Sequence, residues 1–534
     1  MARIKFANEN KEITAESAIT IAQAARLAGV VTDTPCGGMG ICGKCKVRIT
    51  RPDGKERIVL ACQTTVKDDI IVYTQGNNDD NKLNVLTDGL KHNTKPDSRI
   101  TKRYDESEDK TYVYADGIEL CAEAHDTSRM IYGIAIDIGT TTLVVSLVDL
   151  ITGAMLDTAS ALNPQARYAQ DIISRISYAS DAQGLETLHT AVINKINDLT
   201  SQIAARNQID PSNIYETVFC GNTTVLHIAA KVNPKTLGFY PFEPALATPA
   251  YLPARAINLK ISPIASVYLP PCISSYIGAD ITAGILSAQL HKSEGRILFV
   301  DIGTNGEMVF SDHGRMLAAS TAAGPAFEGM TIEFGMRAEP GAIDYFKIDD
   351  AGNQTIRVIG NQKAIGICGS GLIDIAGELV RHKIVDANGK FDSAKAGDRL
   401  IAPNGKPAYR LTPDIYLTQK DIRQVQLAKA AIRAGIELLL HSAKLSAESI
   451  DAVLIAGAFG YHLREESLIN IGLLPGTVRG KVRFIGNTSI SGGRAFLINK
   501  ACRAEMEQQV KDVTVLELSA RPDFQDVFVD QLAF

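Results

Sequence analysis

The stretch IAIDIGTTT at positions 134–142 decides the fold, because it recurs in altered form as LFVDIGTNG at positions 298–306. In both copies a run of apolar residues ends at an aspartate and passes into a Gly-Thr turn, after which a second apolar run begins. This pattern predicts a strand, a tight turn and another strand. Two such hairpins in one chain predict a domain built from two similar halves.

Two further pairs of segments follow the hairpins in the same order. VFCGNTT at positions 218–224 shares its strand-then-glycine layout with LIAGAFG at positions 454–460. Residues 267–278 and 482–493 each indicate a strand, a loop of small residues and the start of a helix. The alternation of apolar strands with amphipathic helices predicts an α/β fold, and the facing halves predict a cleft between them, a common place for a ligand.

The two Gly-Thr turns have the chemistry of a phosphate site. Backbone N–H groups and hydroxyls of such a turn donate to phosphate oxygens. An aspartate at the strand end, here Asp137 or Asp301, can hold Mg²⁺, usually through water, or orient an attacking water. A purely structural turn is the alternative, but two copies at corresponding places favour ATP. The absence of a Walker A motif and of a Gly-x-Gly-x-x-Gly after a strand argues against P-loop and Rossmann sites.

Four of the nine cysteines are clustered near the N-terminus, in CGGMGICGKC at positions 36–45 and at Cys62. Residues 46–50 alternate in polarity, residues 51–54 have turn chemistry and residues 56–61 return, which predicts a hairpin. That hairpin would bring Cys62 back toward the loop that holds the other three thiols. The remaining five cysteines are scattered singly, as buried small hydrophobic residues are.

Four clustered thiolates suit either an iron–sulfur cluster or a structural zinc ion. The glycines between the cysteines favour the cluster, because they allow backbone N–H groups to approach the sulfurs closely. Zinc sites usually contain two Cys-x-x-Cys pairs, and this chain has one. We therefore predict a [2Fe–2S] cluster, with these metal ligands: Cys36, Cys42, Cys45 and Cys62.

Composition divides the chain and excludes some functions. Residues 1–76 predict a small domain of short strands, residues 77–130 a polar linker with a little structure of its own, and residues 131–285 and 286–534 the two halves of the α/β domain. The formal net charge of -5 argues against a general nucleic-acid-binding protein. The chain has no apolar run long enough for a bilayer and no signal-peptide segment at its start, so we expect a cytoplasmic location without membrane contact.

Each of these regions resembles a known family. The first 76 residues resemble plant-type and vertebrate-type [2Fe–2S] ferredoxin domains of β-grasp fold, although the first cysteine gap holds five residues and the last gap is short. The paired hairpins resemble the phosphate loops of the acetate and sugar kinase/Hsp70/actin superfamily, whose halves are RNase H-like. In that superfamily a third, Gly-rich segment holds the adenosine, and residues 455–460 stand where it would fall.

The superfamily resemblance implies the site residues. The carboxylates expected to act in catalysis are Asp137, Asp301 and Glu307, and Glu328 is a weaker candidate of the same kind. The residues expected to contact ATP lie in the two turns, in the loop after the second hairpin and in the third segment: Gly139, Thr140, Thr141, Thr142, Gly303, Thr304, Asn305, Gly306, Gly324, Gly457, Ala458, Phe459 and Gly460.

The joining of the two parts resembles the reductive activators of corrinoid proteins. The resemblance spans essentially the whole chain and rests on the ferredoxin-like cysteines, the paired hairpins and phrases such as residues 300–307 and 323–329. It implies an ATPase that reduces Co(II) of a corrinoid protein to Co(I) by one electron, in support of a methyltransferase, with an O-demethylase system preferred. An external low-potential electron donor and a homodimer are also implied.

Three other functions remain open from the sequence. An activator of a radical dehydratase is disfavoured, because that group typically holds a [4Fe–4S] cluster between two subunits and lacks a ferredoxin domain. A redox-sensing small-molecule kinase would need an acceptor pocket and a base that the sequence does not identify. A non-catalytic module in which a redox state controls ATP binding is the third alternative.

Overall fold

The structure of the chain is a computed structural model. It describes residues 2–15, 18–30, 32, 45–74, 94–457 and 463–534. Cys36 and Cys42 therefore lie outside the described residues, as do Ala458, Phe459 and Gly460.

The N-terminal domain is a five-stranded sheet with one helix, α1 (Ile21–Leu27). Its strands are β1 (Ala2–Phe6), β2 (Lys11–Ala15), β3 (Lys46–Thr50), β4 (Glu56–Leu60) and β5 (Ile70–Tyr73). The order is β2-β1-β5-β3-β4, with β1 and β5 parallel. Ile4 and Phe6 alternate into the core that they share with Ile21. A capping box between Thr20 and Gln23 begins the helix. This topology confirms the β-grasp prediction.

Part of the predicted linker is folded. It forms an antiparallel sheet of β6 (Ile100–Asp105), β7 (Lys110–Ala115) and β8 (Ile118–Ala124). Val113 is fully buried in a core shared with the following domain. Lys102 and Glu123 pair at 2.7 Å, and the Tyr215 hydroxyl of that domain donates to Glu123 at 2.5 Å. The region is polar overall because one face of this sheet is solvated.

The first half of the large domain contains a six-stranded sheet in the order β11-β10-β9-β12-β14-β13. Its strands are β9 (Tyr132–Ile138), β10 (Thr142–Asp149), β11 (Met155–Leu162), β12 (Ile214–Gly221), β13 (Ala250–Pro253) and β14 (Ser266–Leu269). Its helices are α2 (Ile172–Tyr178), α3 (Ala182–Arg206), α4 (Thr223–Ala229) and α5 (Ala279–Ala288).

The second half contains a six-stranded sheet in the order β25-β24-β15-β16-β17-β26. Its strands are β15 (Arg296–Ile302), β16 (Gly306–Asp312), β17 (Arg315–Thr321), β24 (Ala452–Ala456), β25 (Val482–Gly486) and β26 (Thr514–Leu516). Two three-stranded sheets are inserted between β17 and β24, and their strands are β18 (Ala342–Ile348), β19 (Gln354–Val358), β20 (Gly366–Ile367), β21 (Leu400–Ile401), β22 (Ala408–Arg410) and β23 (Tyr416–Thr418). The helices are α6 (Gly369–Arg381), α7 (Ser393–Ala396), α8 (Gln419–Ser442), α9 (Glu465–Asn470), α10 (Thr488–Ile498), α11 (Lys500–Gln509) and α12 (Phe524–Asp530).

The two large sheets repeat one plan. In each, three antiparallel strands continue into two parallel strands, as β11-β10-β9-β12-β14 and β17-β16-β15-β24-β25. The helices after the last of these strands, α5 and α10, pack against each other between the halves. A Cβ at Gly492 would lie 2.2 Å from the carbonyl oxygen of Ala283, so only glycine allows this close approach. The duplicated actin/Hsp70-type fold is confirmed.

Among the residues that the structure describes, no helix combines the length and the apolar character that crossing a membrane requires.

Candidate functional site

The β3–β4 hairpin brings two of the predicted cluster ligands together. Lys46 pairs with Leu60 in its register, and the backbone N–H of Ala61 donates to the carbonyl oxygen of Cys45 at 2.8 Å. The sulfurs of Cys45 and Cys62 consequently lie 3.2 Å apart, and both residues are buried. Neither forms a disulfide. Two thiols at this separation are within reach of one iron atom, so they fit a [2Fe–2S] cluster.

The Gly-Thr turns connect the strands of two hairpins that occupy corresponding positions in the two sheets. In the first, Ile138 pairs with Leu143, and the turn between them contains Gly139, Thr140 and Thr141. Thr142 begins β10. The second hairpin repeats this geometry across a shorter turn of Gly303, Thr304 and Asn305, and Gly306 begins β16. Each aspartate of the motif is therefore the penultimate residue of its strand, Asp137 in β9 and Asp301 in β15.

Four carboxylates from both halves share one electrostatic environment. Burial, together with the charges of Asp280 and Asp137, raises the pKa of Asp301 to about 8. Burial and the charge of Asp137 raise the pKa of Asp280 to about 7. The pKa of Glu307 is raised well above its usual range by burial and by the charges of Asp280 and Asp301. Like charges crowded in a cleft disfavour ionisation and attract a cation.

Asp137, in the first half of the domain, forms hydrogen bonds with side chains of the second half. Its carboxylate accepts hydrogen bonds from the side chains of Asn487 and Ser489, both at 2.9 Å. These donors stand where β25 passes into α10, in the opposite half. Burial raises the pKa of Asp137, and the two hydrogen bonds oppose that effect. The donors that hold Asp137 in place, Asn487 and Ser489, are therefore neutral side chains.

The carboxylate cluster fits a cation that keeps its bound waters better than a cation bound directly by the side chains. In the described parts of the chain, no three His, Cys, Asp or Glu side chains converge closely enough to bind one metal ion directly. Mg²⁺ retains several of its waters and is usually held by one or two carboxylates together with phosphate oxygens. Asp137, Asp280, Asp301 and Glu307 match that requirement, because they are near enough for their charges to raise one another's pKa but no three of them converge on one point.

The third predicted segment begins beside the second hairpin. Gly457 follows β24 with a φ of +113°, and a Cβ there would lie 2.6 Å from the carbonyl oxygen of Ile302 and 3.0 Å from a carboxylate oxygen of Asp301. Glycine is required both by the dihedral and by the close approach. Gly457, the first glycine of this segment, therefore lies next to Asp301, one of the predicted catalytic carboxylates.

The loop after the second hairpin carries a carboxylate that connects the two predicted phosphate turns. Gly324, with a φ of +77°, precedes a short turn that carries Glu328. The Thr141 hydroxyl donates to one oxygen of this carboxylate at 2.7 Å, and the Thr304 hydroxyl donates to the other at 2.6 Å. The two predicted phosphate turns, one from each half, therefore meet at Glu328.

Sequence reasoning missed Asp280, Asn487 and Ser489 as site residues. The signal was present in the third repeated pair, where a strand and a small-residue loop lead into a helix. Asp280 lies in the first turn of α5, and Asn487 and Ser489 lie at the start of α10, which is its counterpart in the second half. Polar residues at the same junction of both copies are the pattern that could have identified them.

The raised pKa values predict a falling stability between about pH 4 and pH 8. The pKa of an unfolded aspartate is about 4, so within this window the folded protein binds more protons than the unfolded one. The free energy of unfolding therefore decreases as the pH rises. We expect the thermal midpoint of the metal-free protein to fall over this range. The double variant Asp280→Asn/Asp301→Asn should lose much of that slope.

Calorimetry at several pH values in the presence of a chelator measures this effect. Asp312→Asn is the matched control, because Asp312 lies at the opposite end of β16 and pairs with Arg296 at 2.9 Å. Parallel curves for the double variant and the wild-type protein would contradict the assignment of raised pKa values to the cleft.

Three protein-family models match parts of the chain. Residues 4–67 match the 2Fe-2S iron-sulfur cluster binding domain. Residues 132–293 match the RACo middle region, and residues 296–534 match the C-terminal domain of RACo, the ASKHA domain. The ferredoxin domain supports a [2Fe–2S] cluster, and the ASKHA domain supports ATP binding.

Individual relatives extend over the same regions. The chain is 30% identical to the corrinoid activation enzyme RamQ of Eubacterium limosum over 100% of its own length and 99% of that protein. It is 27% identical to the Co(II) methylated amine-specific corrinoid protein reductase of Methanosarcina barkeri, over 76% of this chain and 77% of the relative. A solved structure described as a reductive activator for corrinoid, iron-sulfur protein aligns with a TM-score of 0.76 and 32% identity, covering 100% of this chain and 98% of that one. The chain therefore belongs to the family of reductive activators of corrinoid proteins.

Proposed function

We propose that this protein uses ATP to reduce the cobalt of a corrinoid protein from Co(II) to Co(I), one electron at a time. The observation that carries the proposal is the presence, in one chain, of paired buried cysteines in a ferredoxin domain and of a carboxylate-lined cleft between duplicated hairpins. The relatives named as corrinoid activation enzyme and corrinoid protein reductase support the identity of the acceptor. Restored Co(I) would return an inactivated corrinoid protein to its methyltransferase cycle.

The electron path would begin at the N-terminal domain. A [2Fe–2S] cluster held by Cys36, Cys42, Cys45 and Cys62 supplies a one-electron carrier. An external low-potential donor would deliver the electron, and the corrinoid protein would receive it. We also propose a homodimer, on the resemblance alone.

The ATPase chemistry is assigned to the four carboxylates. Asp137 and Asp301 would hold Mg²⁺ through water, since each is the penultimate residue of a strand that leads into a phosphate turn. Asp280 has a pKa of about 7, which suits a group that accepts a proton from the attacking water at neutral pH. Glu307 pairs with Asp301 in the register of β15 and β16 and would support its position.

Energy coupling explains why the two parts share a chain. For a one-electron couple, about 59 mV corresponds to about 1.4 kcal/mol. A conformational coupling of several kcal/mol would therefore shift an effective potential by hundreds of millivolts. ATP binding and hydrolysis in a two-half cleft change the arrangement of the halves, which is a means of delivering that energy.

The methyl donor system is proposed from resemblance alone. An O-demethylase system is our first candidate, and a methylated-amine system, named for the Methanosarcina barkeri relative, is the second. The redox-sensing kinase and the non-catalytic module lose support, because the relatives are named as activators and reductases of corrinoid proteins.

The decisive experiment mixes the reduced protein with a Co(II) corrinoid protein and follows the visible spectrum. We expect the Co(I) spectrum to appear upon addition of MgATP and to remain absent with ADP or with a non-hydrolysable ATP analogue. Corrinoid proteins from O-demethylase and methylated-amine systems, tested in parallel, distinguish the two candidates. A Co(II) spectrum that stays unchanged with every partner would refute the proposed function.

A further inference from the structure

The carboxylate of Glu328 occupies both hydroxyl donors of the phosphate turns. Thr141 and Thr304 belong to opposite halves of the duplicated domain, and each donates to a different oxygen of Glu328, at 2.7 and 2.6 Å. Hydrogen bonds from hydroxyls to a carboxylate are charge-assisted and are among the stronger ones in proteins. The carboxylate of Glu328 therefore lies between the two turns.

A phosphate group and this carboxylate compete for the same donors. Both are anions that accept hydrogen bonds, and two anions within contact distance repel each other strongly in a cleft. The hydroxyls of Thr141 and Thr304 therefore cannot serve a terminal phosphate while Glu328 holds them. Binding of a terminal phosphate at the two turns requires the carboxylate to move.

A buried cation with an open donor lies beside this bridge. Arg175 of α2 is fully buried; its Nε donates to the carbonyl oxygen of Ala169 at 3.1 Å and its Nη2 to that of Thr140 at 2.5 Å. Within the part of the chain that the structure describes, Nη1 has no hydrogen-bond partner. Burial lowers the pKa of Arg175 to about 10, and the charges of Asp171 and Glu328 oppose that effect, so the guanidinium stays charged at neutral pH.

An unpartnered donor on a buried charge is costly, and an anion that reached Nη1 would remove that cost. Arg175 contacts the backbone of Thr140, the neighbour of Thr141, so the guanidinium lies next to the residue that holds Glu328. Glu328 is thus a nearby acceptor for Nη1 once its own hydroxyl partners are taken.

We propose that Glu328 is a clasp: it joins Thr141 to Thr304 without nucleotide, yields both hydroxyls to the terminal phosphate of ATP, and then pairs with Nη1 of Arg175. The inference rests on the proposed binding of ATP in this cleft and deepens it. Glu328 acts here as a positioning residue that distinguishes ATP from ADP, because only ATP carries the phosphate that competes with it. Loss of the terminal phosphate would let the clasp close again and favour release of ADP.

Calorimetric titration of the full-length, cluster-containing protein with the magnesium complexes of AMP-PNP and of ADP tests the clasp. In the wild-type protein the closed clasp lowers the apparent affinity for a terminal phosphate, because only the open fraction can bind. Glu328→Gln replaces the charge-assisted bonds by weaker ones, so we expect about tenfold tighter binding of AMP-PNP and a change below about twofold for ADP. Glu333→Gln, an exposed neighbour, is the matched control and should behave as the wild type.

The role of Arg175 is tested by a double-mutant cycle. Arg175→Lys keeps the charge and removes the Nη1 donor, so it should weaken AMP-PNP binding about fivefold in the wild-type background. In the Glu328→Gln background the same change should have an effect below about twofold, because residue 328 then has no carboxylate that could pair with the side chain at position 175. Equal effects of Arg175→Lys in both backgrounds would refute the pairing of Glu328 with Arg175 in the ATP-bound state.

The outcomes separate the clasp from the function on which it rests. An unchanged ratio of AMP-PNP to ADP affinity in Glu328→Gln overturns the clasp. A wild-type protein that binds neither nucleotide overturns the proposed function instead. If circular dichroism shows that Glu328→Gln does not fold, Glu328→Asp takes its place. The aspartate side chain is one methylene shorter than glutamate and cannot bridge the two hydroxyls in the same way. The ratio of AMP-PNP affinity to ADP affinity must therefore also rise in Glu328→Asp if the clasp exists.

Discussion

Replacement of Cys62 by alanine is expected to abolish reduction of the corrinoid partner while nucleotide binding persists. Cys62 lies 3.2 Å from Cys45, sulfur to sulfur, so its loss removes one of four predicted ligands from the centre of the site. A metal site that loses a ligand is bound far more weakly. We expect the cluster content to fall below about a tenth of the wild-type value. The visible absorption of the cluster and calorimetry with MgATP measure the two properties separately.

The control for this variant is Cys121→Ala. Cys121 lies on β8, outside the ferredoxin domain, and forms no disulfide. Its replacement should leave both the cluster and the reduction of cobalt at wild-type levels. Persistent cobalt reduction by Cys62→Ala would show that the cluster assignment is wrong, whereas a joint loss of cluster and nucleotide binding would indicate a folding defect of the whole chain.

Replacement of Asp301 by asparagine is expected to slow ATP hydrolysis by about 10²-fold without changing the cluster content. Asp301 is the penultimate residue of the strand that leads into the second predicted phosphate turn, and it shares its electrostatic environment with Asp280 and Asp137. The amide keeps the volume of the side chain but removes the charge that would hold Mg²⁺ in place. Phosphate release measures the turnover, and iron analysis measures the cluster.

Asp312→Asn serves again as the control, since it changes the same type of residue at the far end of β16. It should retain wild-type ATP hydrolysis. Hydrolysis by Asp301→Asn at the rate of this control would remove Asp301 from the catalytic residues. A parallel loss of cluster content would show instead that the variant perturbs the fold of the chain.

Motif repetition carried much of the prediction. The fold class and the family could be inferred because two hairpins and four cysteines are local patterns, each readable within about ten residues. The β3–β4 hairpin is an example: alternation over residues 46–50 and a turn at residues 51–54 are sufficient to place Cys62 near Cys45. The nucleotide residues from 458 to 460 lie outside the described residues, and their roles stay predictions.

The partners within the cleft could not be read in this way. Asp137 meets Asn487 and Ser489 across 350 or more positions of sequence, and Thr141 meets Glu328 across 187. Such pairs depend on how α5 and α10 cross and on how closely the two sheets approach. A single sequence contains the residue types for these contacts but no record of which of them meet.

The sequence by itself determined that a thiolate-rich ferredoxin domain precedes a duplicated α/β domain with two phosphate turns, because backbone dihedrals, alternation and ligand spacing are properties of short segments. Only the tertiary structure decided that Asp280 joins Asp137, Asp301 and Glu307, and that Glu328 occupies the donors of both turns. The reason is physical: the pKa of a carboxylate and the partner of a hydroxyl are set by burial and by charges brought together through long-range packing.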